Sequence, residues 1–136
     1  TEIKDNLKAL IHVALENARM TGDKIIAVAI SNQRETAAAW SKITAEPLAL
    51  AIVWQDNRAF SLTNSNELQD YADLIKQKTG LPLTPYFTAA KFTWMQRYEP
   101  AVCNALSIDD LCLGTIDSWL LYILTNSNYT TEPSNA

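Results

Sequence analysis

Asn32, Gln33, Arg34 and Glu35 put two amides, a guanidinium and a carboxylate in consecutive positions. A guanidinium offers only hydrogen-bond donors and an ionised carboxylate only acceptors. A neighbouring Arg and Glu can therefore satisfy the hydroxyls of a polyol, each of which needs an acceptor for its proton and a donor for its oxygen. A surface ion-pair network explains the same residue types equally well, since exposed Arg and Glu are common. In a regular strand, neighbouring side chains point to opposite faces, so Arg34 and Glu35 reach one ligand only if the backbone bends near 33–35. Two aromatic residues could complete such a site. Trp54 could lay its ring along the C–H face of a polyol, or serve as a core tryptophan at the end of a buried strand. Tyr86, which follows Pro85, has a phenol that both donates and accepts; a tyrosine at the edge of the core is the alternative. Asp56 and Arg58, two positions apart, read as a loop fastening. Lys91 reads as a lysine on a polar helix face, a phosphate contact being the alternative, and Asp117 and Trp119 as architecture in the first turns of a helix.

These residues need elements to hold them. Ile3, Leu7, Leu10, Ile11, Ala14, Leu15 and Ala18 recur at spacings of three and four, which predicts an amphipathic helix over about 2–19 with one face on a sheet. The run from Ile25 to Ile30 is apolar throughout and predicts a strand covered on both faces, reaching 31. Such strands sit in the middle of α/β sheets, where ligands bind beyond the carboxyl ends. Residues 36–41 and 48–54, joined by a short polar link, predict a hairpin. Ser65 or Asn66 caps a helix to about Lys78, with Thr79-Gly80 as its end. Pro82 and Pro85 keep residues 81–85 extended. Thr88 is read as the cap of a helix over 89–98 that Pro100 stops, with Phe92 and Met95 on its buried side. A second short helical piece follows, then a linker over 108–114 that becomes a short strand. Thr115 can cap a last helix with Trp119, Leu120, Ile123 and Leu124 on its apolar face. From Thr125 onward the chain is polar and is expected to be unanchored.

In 136 residues, 48% of them hydrophobic, there is material for one core, and a single domain over 1–136 is expected. The net charge is −4 and Lys and Arg are scattered, which supports neither a nucleic-acid footprint nor an anionic-membrane patch. Two cysteines, Cys103 and Cys112, and one histidine, His12, suggest neither a disulfide framework nor a zinc site. No apolar run reaches the ~18 residues that cross a bilayer, and the amino terminus lacks the order of a signal peptide. A soluble, cytoplasmic protein with no membrane partner is expected.

Asn32-Gln33-Arg34-Glu35-Thr36, Trp40 and Ile52-Val53-Trp54-Gln55-Asp56-Asn57-Arg58 resemble the sugar side of the FGGY carbohydrate kinases, and among them the glycerol kinases. So do, in the same order, Thr79-Gly80-Leu81, Pro85-Tyr86-Phe87 with Lys91, Gly114-Thr115-Ile116-Asp117-Ser118-Trp119-Leu120 and Ser134-Asn135-Ala136. The resemblance implies an α/β, ribonuclease-H-like (actin-like ATPase) fold, with this chain as part of the first of two domains. It implies ATP-dependent phosphorylation of glycerol to glycerol 3-phosphate, with Arg34, Glu35, Trp54 and Tyr86 binding the polyol. ATP and magnesium are the implied cofactors of the intact enzyme, the remaining kinase domain its partner, and a homo-oligomer is compatible with the exposed strand edges. The family places its phosphate turn before Thr1 and its catalytic aspartate after Ala136. No catalytic, cofactor-binding or metal-binding residue is therefore expected here, and no phosphoryl transfer by the chain alone. A kinase for another polyol or sugar such as a pentulose, or a non-catalytic binding or assembly module, are the alternatives. The family usually has glycine where Ala45 stands, so either the turn differs in type or the loop is strained.

Overall fold

The computed structural model describes residues 2–19 and 24–135. They form two compact units, Thr1–Ser31 and Asn32–Ala136. The first holds helix α1, Glu2–Ala18, which carries the expected apolar stripe but buries none of its residues. The predicted strand over 25–31 does not form: residues 25–30 have no regular secondary structure, with Ile26 and Val28 exposed. A strand exists only through ladder bonds to a neighbour. Among the described residues, nothing pairs with this run.

In the second unit the order is β1 Ala37–Ser41, α2 Phe60–Thr63, α3 Asn66–Gln69, α4 Ala72–Thr79, α5 Thr88–Tyr98, α6 Pro100–Ser107, β2 Leu111–Thr115 and α7 Ile116–Leu124. The strand covered on both faces is β1, all five of whose residues are buried. Its small side chains, Ala37 to Ala39, let neighbouring elements approach closely before Trp40 fills the end. On one edge β1 pairs antiparallel with β2, Ala37 opposite Thr115 and Ser41 opposite Leu111. On the other edge the predicted hairpin forms only in part: residues 48–54 make no strand, and the return meets β1 through isolated antiparallel bridges, Ala37 with Ile52 and Trp40 with Pro47. Ala37 and Ile52 exchange both backbone bonds at 2.9 Å, and the Leu48 N–H donates to the Ala39 carbonyl at 2.9 Å. The core gathers around Ala37, Ala39, Ile52, Met95 and Val102, with Phe92, Trp94, Leu111 and Leu113 packed against it. Helices α5 and α6 pack against each other and on β1, while α7 packs on both strands.

The predicted helix over 66–78 is two pieces. Ser65 caps α3, accepting from the Leu68 N–H, and the chain breaks step at Asp70-Tyr71 before α4, which Gly80 ends in a left-handed conformation at φ 75°. Pro100 stops α5 and starts α6 as its first residue, where a missing N–H costs nothing. Thr115 stands at the N-cap of α7, but its hydroxyl donates to the Asp117 carboxylate instead of accepting from the helix. Trp119, Leu120 and Tyr122 are buried on α7, whereas Leu124 is exposed.

The carboxyl-terminal stretch is anchored, contrary to the sequence expectation. Left-handed Asn126 and Ser127 turn the chain back after α7. The Tyr129 hydroxyl then donates to the Leu113 carbonyl, and its ring meets Trp40 edge-on at 5.7 Å. Thr131 donates to Asp117 Oδ2 at 2.9 Å, and Asn32 Nδ2 donates to Asn135 Oδ1 at 3.1 Å. Polar side chains anchor this tail, so an absence of apolar residues did not reveal it.

Candidate functional site

The site reading required a break in the backbone near 33–35. One is present at Glu35, whose φ of 61° is left-handed. This conformation costs a residue with a β-carbon about 1–2 kcal/mol, and something must hold it there. Oε2 of Glu35 accepts from the Thr88 backbone N–H at 2.9 Å and from the Thr88 hydroxyl at 2.7 Å. These bonds satisfy an orphan donor in the first turn of α5 and place a negative charge at its positive end. The sequence pattern points to Thr88 as the cap of α5. Phe87 holds the cap position instead, and the capping oxygen comes from Glu35, a partner no local pattern announces.

The same anchor fixes the segment before α5. Tyr86 lies edge-on to Trp54, ring centroids 6.0 Å apart, and edge-on to Phe87 at 5.2 Å. Its phenol is on a partly exposed side chain, 44% accessible, so it can meet a ligand. Lys91 lies against Tyr86. It was expected on a polar face of its helix, yet it is wholly buried. Its ammonium donates to the Tyr86 carbonyl and sits 5.7 Å from the Tyr86 ring centroid. Burial pushes the Lys91 ammonium below the usual lysine range, and the charges of Glu35 and Asp56 hold it partly up.

Asp56 and Arg58 fasten their loop as expected. Arg58 Nη2 donates to Asp56 Oδ2 at 2.7 Å and its Nε to both carboxylate oxygens at 3.0 Å. The Arg58 hydrogen bonds hold the Asp56 carboxyl below its ordinary range. The guanidinium stacks over Trp94, 4.9 Å from the ring centroid. Arg34 is exposed, and no hydrogen bond joins it to Glu35, Trp54 or Tyr86 among the described residues. Its charge reaches Glu132, whose carboxyl is held low first by the Ser134 hydroxyl and only lastly by Arg34.

The structure thus brings Glu35, Trp54 and Tyr86 to one neighbourhood from three separate segments and adds Thr88 and Lys91. Sequence reasoning passed over Thr88 as a local cap and Lys91 as a surface charge. The available signal for Lys91 was its spacing, a little over one turn beyond Tyr86, with apolar Phe92 and Met95 on its helix. A cleft of about 470 Å³ opens beside the start of α5, lined by Thr88, Phe92, Leu113, Thr115, Ser118 and Tyr129 among others. Its lining includes none of Arg34, Glu35, Trp54 and Tyr86. Among the described residues, no group of three or more His, Cys, Asp or Glu is placed to hold a metal, and no helix is long and apolar enough to cross a membrane.

The model of the FGGY family of carbohydrate kinases, N-terminal domain, matches residues 1–136. The chain belongs to that family. A glycerol kinase of Alcanivorax borkumensis is 40% identical over 136 residues, 99% of this chain and 27% of the relative. A probable glycerol kinase of Caenorhabditis elegans is 42% identical over 125 residues, 90% of this chain and 25% of the relative. The crystal structure of Plasmodium falciparum glycerol kinase with ADP superposes with a TM-score of 0.83 at 32% identity, covering 98% of this chain and 27% of that one. The chain therefore has the α/β, ribonuclease-H-like fold of the actin-like ATPases, and it spans about a quarter of the length of the relatives it matches.

Proposed function

We propose that this chain is the polyol-binding part of a glycerol kinase, which transfers the γ-phosphoryl group of ATP to a terminal hydroxyl of glycerol. In that reaction the hydroxyl oxygen forms a bond to the γ-phosphorus, the bond from that phosphorus to the β,γ-bridging oxygen breaks, ADP leaves, and the hydroxyl proton passes to a base. The residues assigned to substrate are Arg34, Glu35, Trp54 and Tyr86. The observation that carries this reading is the convergence of Trp54 and Tyr86, 6.0 Å apart and edge-on, beside a Glu35 held left-handed by Thr88.

The chemistry suits a small polyol. The Trp54 face offers apolar contact to C–H bonds, the Tyr86 phenol donates and accepts, Glu35 accepts, and Arg34 donates from an exposed position. Oε2 of Glu35 is engaged by Thr88, which leaves Oε1 to meet a hydroxyl. ATP is the implied co-substrate and magnesium the implied ion. Among the described residues no group of three or more His, Cys, Asp or Glu is placed to hold such an ion.

The test is glycerol-dependent ADP release by the full-length gene product. Turnover with glycerol, and a KM for glycerol that rises about tenfold or more in Glu35→Gln and Tyr86→Phe with the KM for ATP unchanged, supports the reading. Loss of one hydrogen bond accounts for a change of that order, about 0.5–1.5 kcal/mol for the neutral Tyr86 phenol and about 1.5–3 kcal/mol for the Glu35 carboxylate. A product that phosphorylates another polyol and not glycerol would overturn the substrate, and one without any kinase activity the whole reading.

A further inference from the structure

Lys91 presents a problem for packing alone. A lysine is almost never fully buried without a partner, and burying an ammonium among apolar side chains is costly. Lys91 has no accessible surface, shares α5 with buried Met95, and is pushed toward its neutral form by its surroundings. Methionine or leucine would fill the same helix position without that cost. What the ammonium does is specific: it donates to the backbone carbonyl of Tyr86 and stands 5.7 Å from the centroid of the same ring. That separation is within the ~6 Å over which a cation is attracted to an aromatic face. One charge thus grips a single residue at both its backbone and its side chain.

Two further contacts limit where that residue can go. Trp54 meets the Tyr86 ring edge-on, and Glu35 ties down Thr88, two positions along the chain. Pro85 fixes the backbone on the other side. Held in this way, the Tyr86 phenol has little freedom left to lose when a ligand binds, and rigid presentation of a hydroxyl partner is a source of affinity.

We propose that Lys91 is a positioning residue for the polyol site: its buried ammonium presets the Tyr86 side chain for a substrate hydroxyl. This rests on the glycerol kinase reading of the site. It adds a residue that does not touch substrate and acts through another that does.

The experiment is a double-mutant cycle in the full-length protein, with Lys91→Met, Tyr86→Ala and the pair. Lys91→Met is expected to raise the KM for glycerol about tenfold, the effect of losing a desolvated cation–π contact, while leaving the KM for ATP unchanged. In the Tyr86→Ala background, Lys91→Met is expected to change the glycerol KM less than about twofold, as coupling through Tyr86 requires. A lysine with only a packing role would instead lower the melting temperature and the active fraction, leaving both KM values as they were. That result, or an equal effect with and without Tyr86, would overturn the proposal. Should Lys91→Met not fold, Lys91→Gln, which can still donate to the Tyr86 carbonyl but carries no charge, takes its place in the cycle: a raised glycerol KM that vanishes in the Tyr86→Ala background is expected, and an unaltered glycerol KM would overturn the proposal. A wild-type protein that transfers no phosphoryl group to glycerol would overturn the underlying reading and this one together. Wild-type activity with an unaltered Lys91→Met variant would overturn this one alone.

Discussion

Gly114 lies against the indole of Trp40. A β-carbon at Gly114 would stand 2.9 Å from Trp40 Cη2 and 2.8 Å from Ser118 Cβ. Trp40 has no accessible surface and is packed by Tyr122 and Tyr129, each with its ring centroid 5.7 Å from the indole, so it has nowhere to retreat. Glycine is required here for space and not for backbone freedom. Gly114→Ala is expected to destabilise the protein by about 1–3 kcal/mol, the usual cost of overpacking a core. Urea denaturation measures it, and an unchanged midpoint would mean that β2 and α7 can separate.

Glu35 and Thr88 are joined across 53 positions, with a carboxylate capping a helix from outside it. Glu35→Ala is expected to cost about 1–2 kcal/mol, the range for losing a helix cap. Thr88→Ala keeps the backbone N–H and loses only the hydroxyl bond, so about half that cost is expected. The two variants share a contact and their effects are expected to fall short of additivity in the double variant. Additive costs would show that the carboxylate acts elsewhere.

Local patterns made much of this molecule legible. The return of residues 48–54 alongside β1, though as isolated bridges and not as a strand, the stop at Gly80, the end of α5 before Pro100 and the Asp56–Arg58 fastening follow from propensities and short spacings. The misses share a cause, which is that the deciding partner lies far away in sequence. Residues 25–30 have the composition of an interior strand, but composition does not supply a neighbour. Lys91 looks like a surface charge until the Tyr86 carbonyl is placed above it, and the tail looks free until Asp117, Leu113 and Asn32 receive its side chains. In the site, Trp54, Tyr86 and Glu35 were legible as residue types, and the bend at Glu35 followed from the alternation of a strand. The bond that holds the bend did not.

The Asp56–Arg58 pair carries a pH signature. Arg58 holds the Asp56 carboxyl below its ordinary value of 3.8, so the folded state binds this proton less readily than the unfolded chain. The stability this provides is present above 3.8 and is lost as pH falls through the lower, folded value. Asp56→Asn removes that dependence. Between about pH 6 and about pH 3, the wild type is expected to lose more of its melting temperature than Asp56→Asn does. Parallel acid losses in the two proteins would count against the assigned direction. Both side chains are partly exposed, so salt is expected to narrow the difference.

Ala45 and Glu35 both adopt left-handed backbones, at φ 60° and 61°, and the same substitution is expected to act on them in opposite directions. At Ala45 the fold uses only the backbone: the N–H donates to the Ser41 carbonyl at 2.8 Å, and the carbonyl accepts from Trp119 Nε1 at 3.0 Å. Glycine keeps both bonds and relieves about 1–2 kcal/mol of left-handed strain. Its extra freedom in the unfolded chain returns about 0.4–1 kcal/mol of that. Ala45→Gly is therefore expected to gain up to about 1.6 kcal/mol. At Glu35 the strain relief is similar, but the substitution also deletes both bonds to Thr88, the helix cap whose loss costs about 1–2 kcal/mol. Glu35→Gly is expected to lose stability on balance. Urea midpoints for the two variants decide it, and a stabilised Glu35→Gly would show that the carboxylate is not what holds the start of α5.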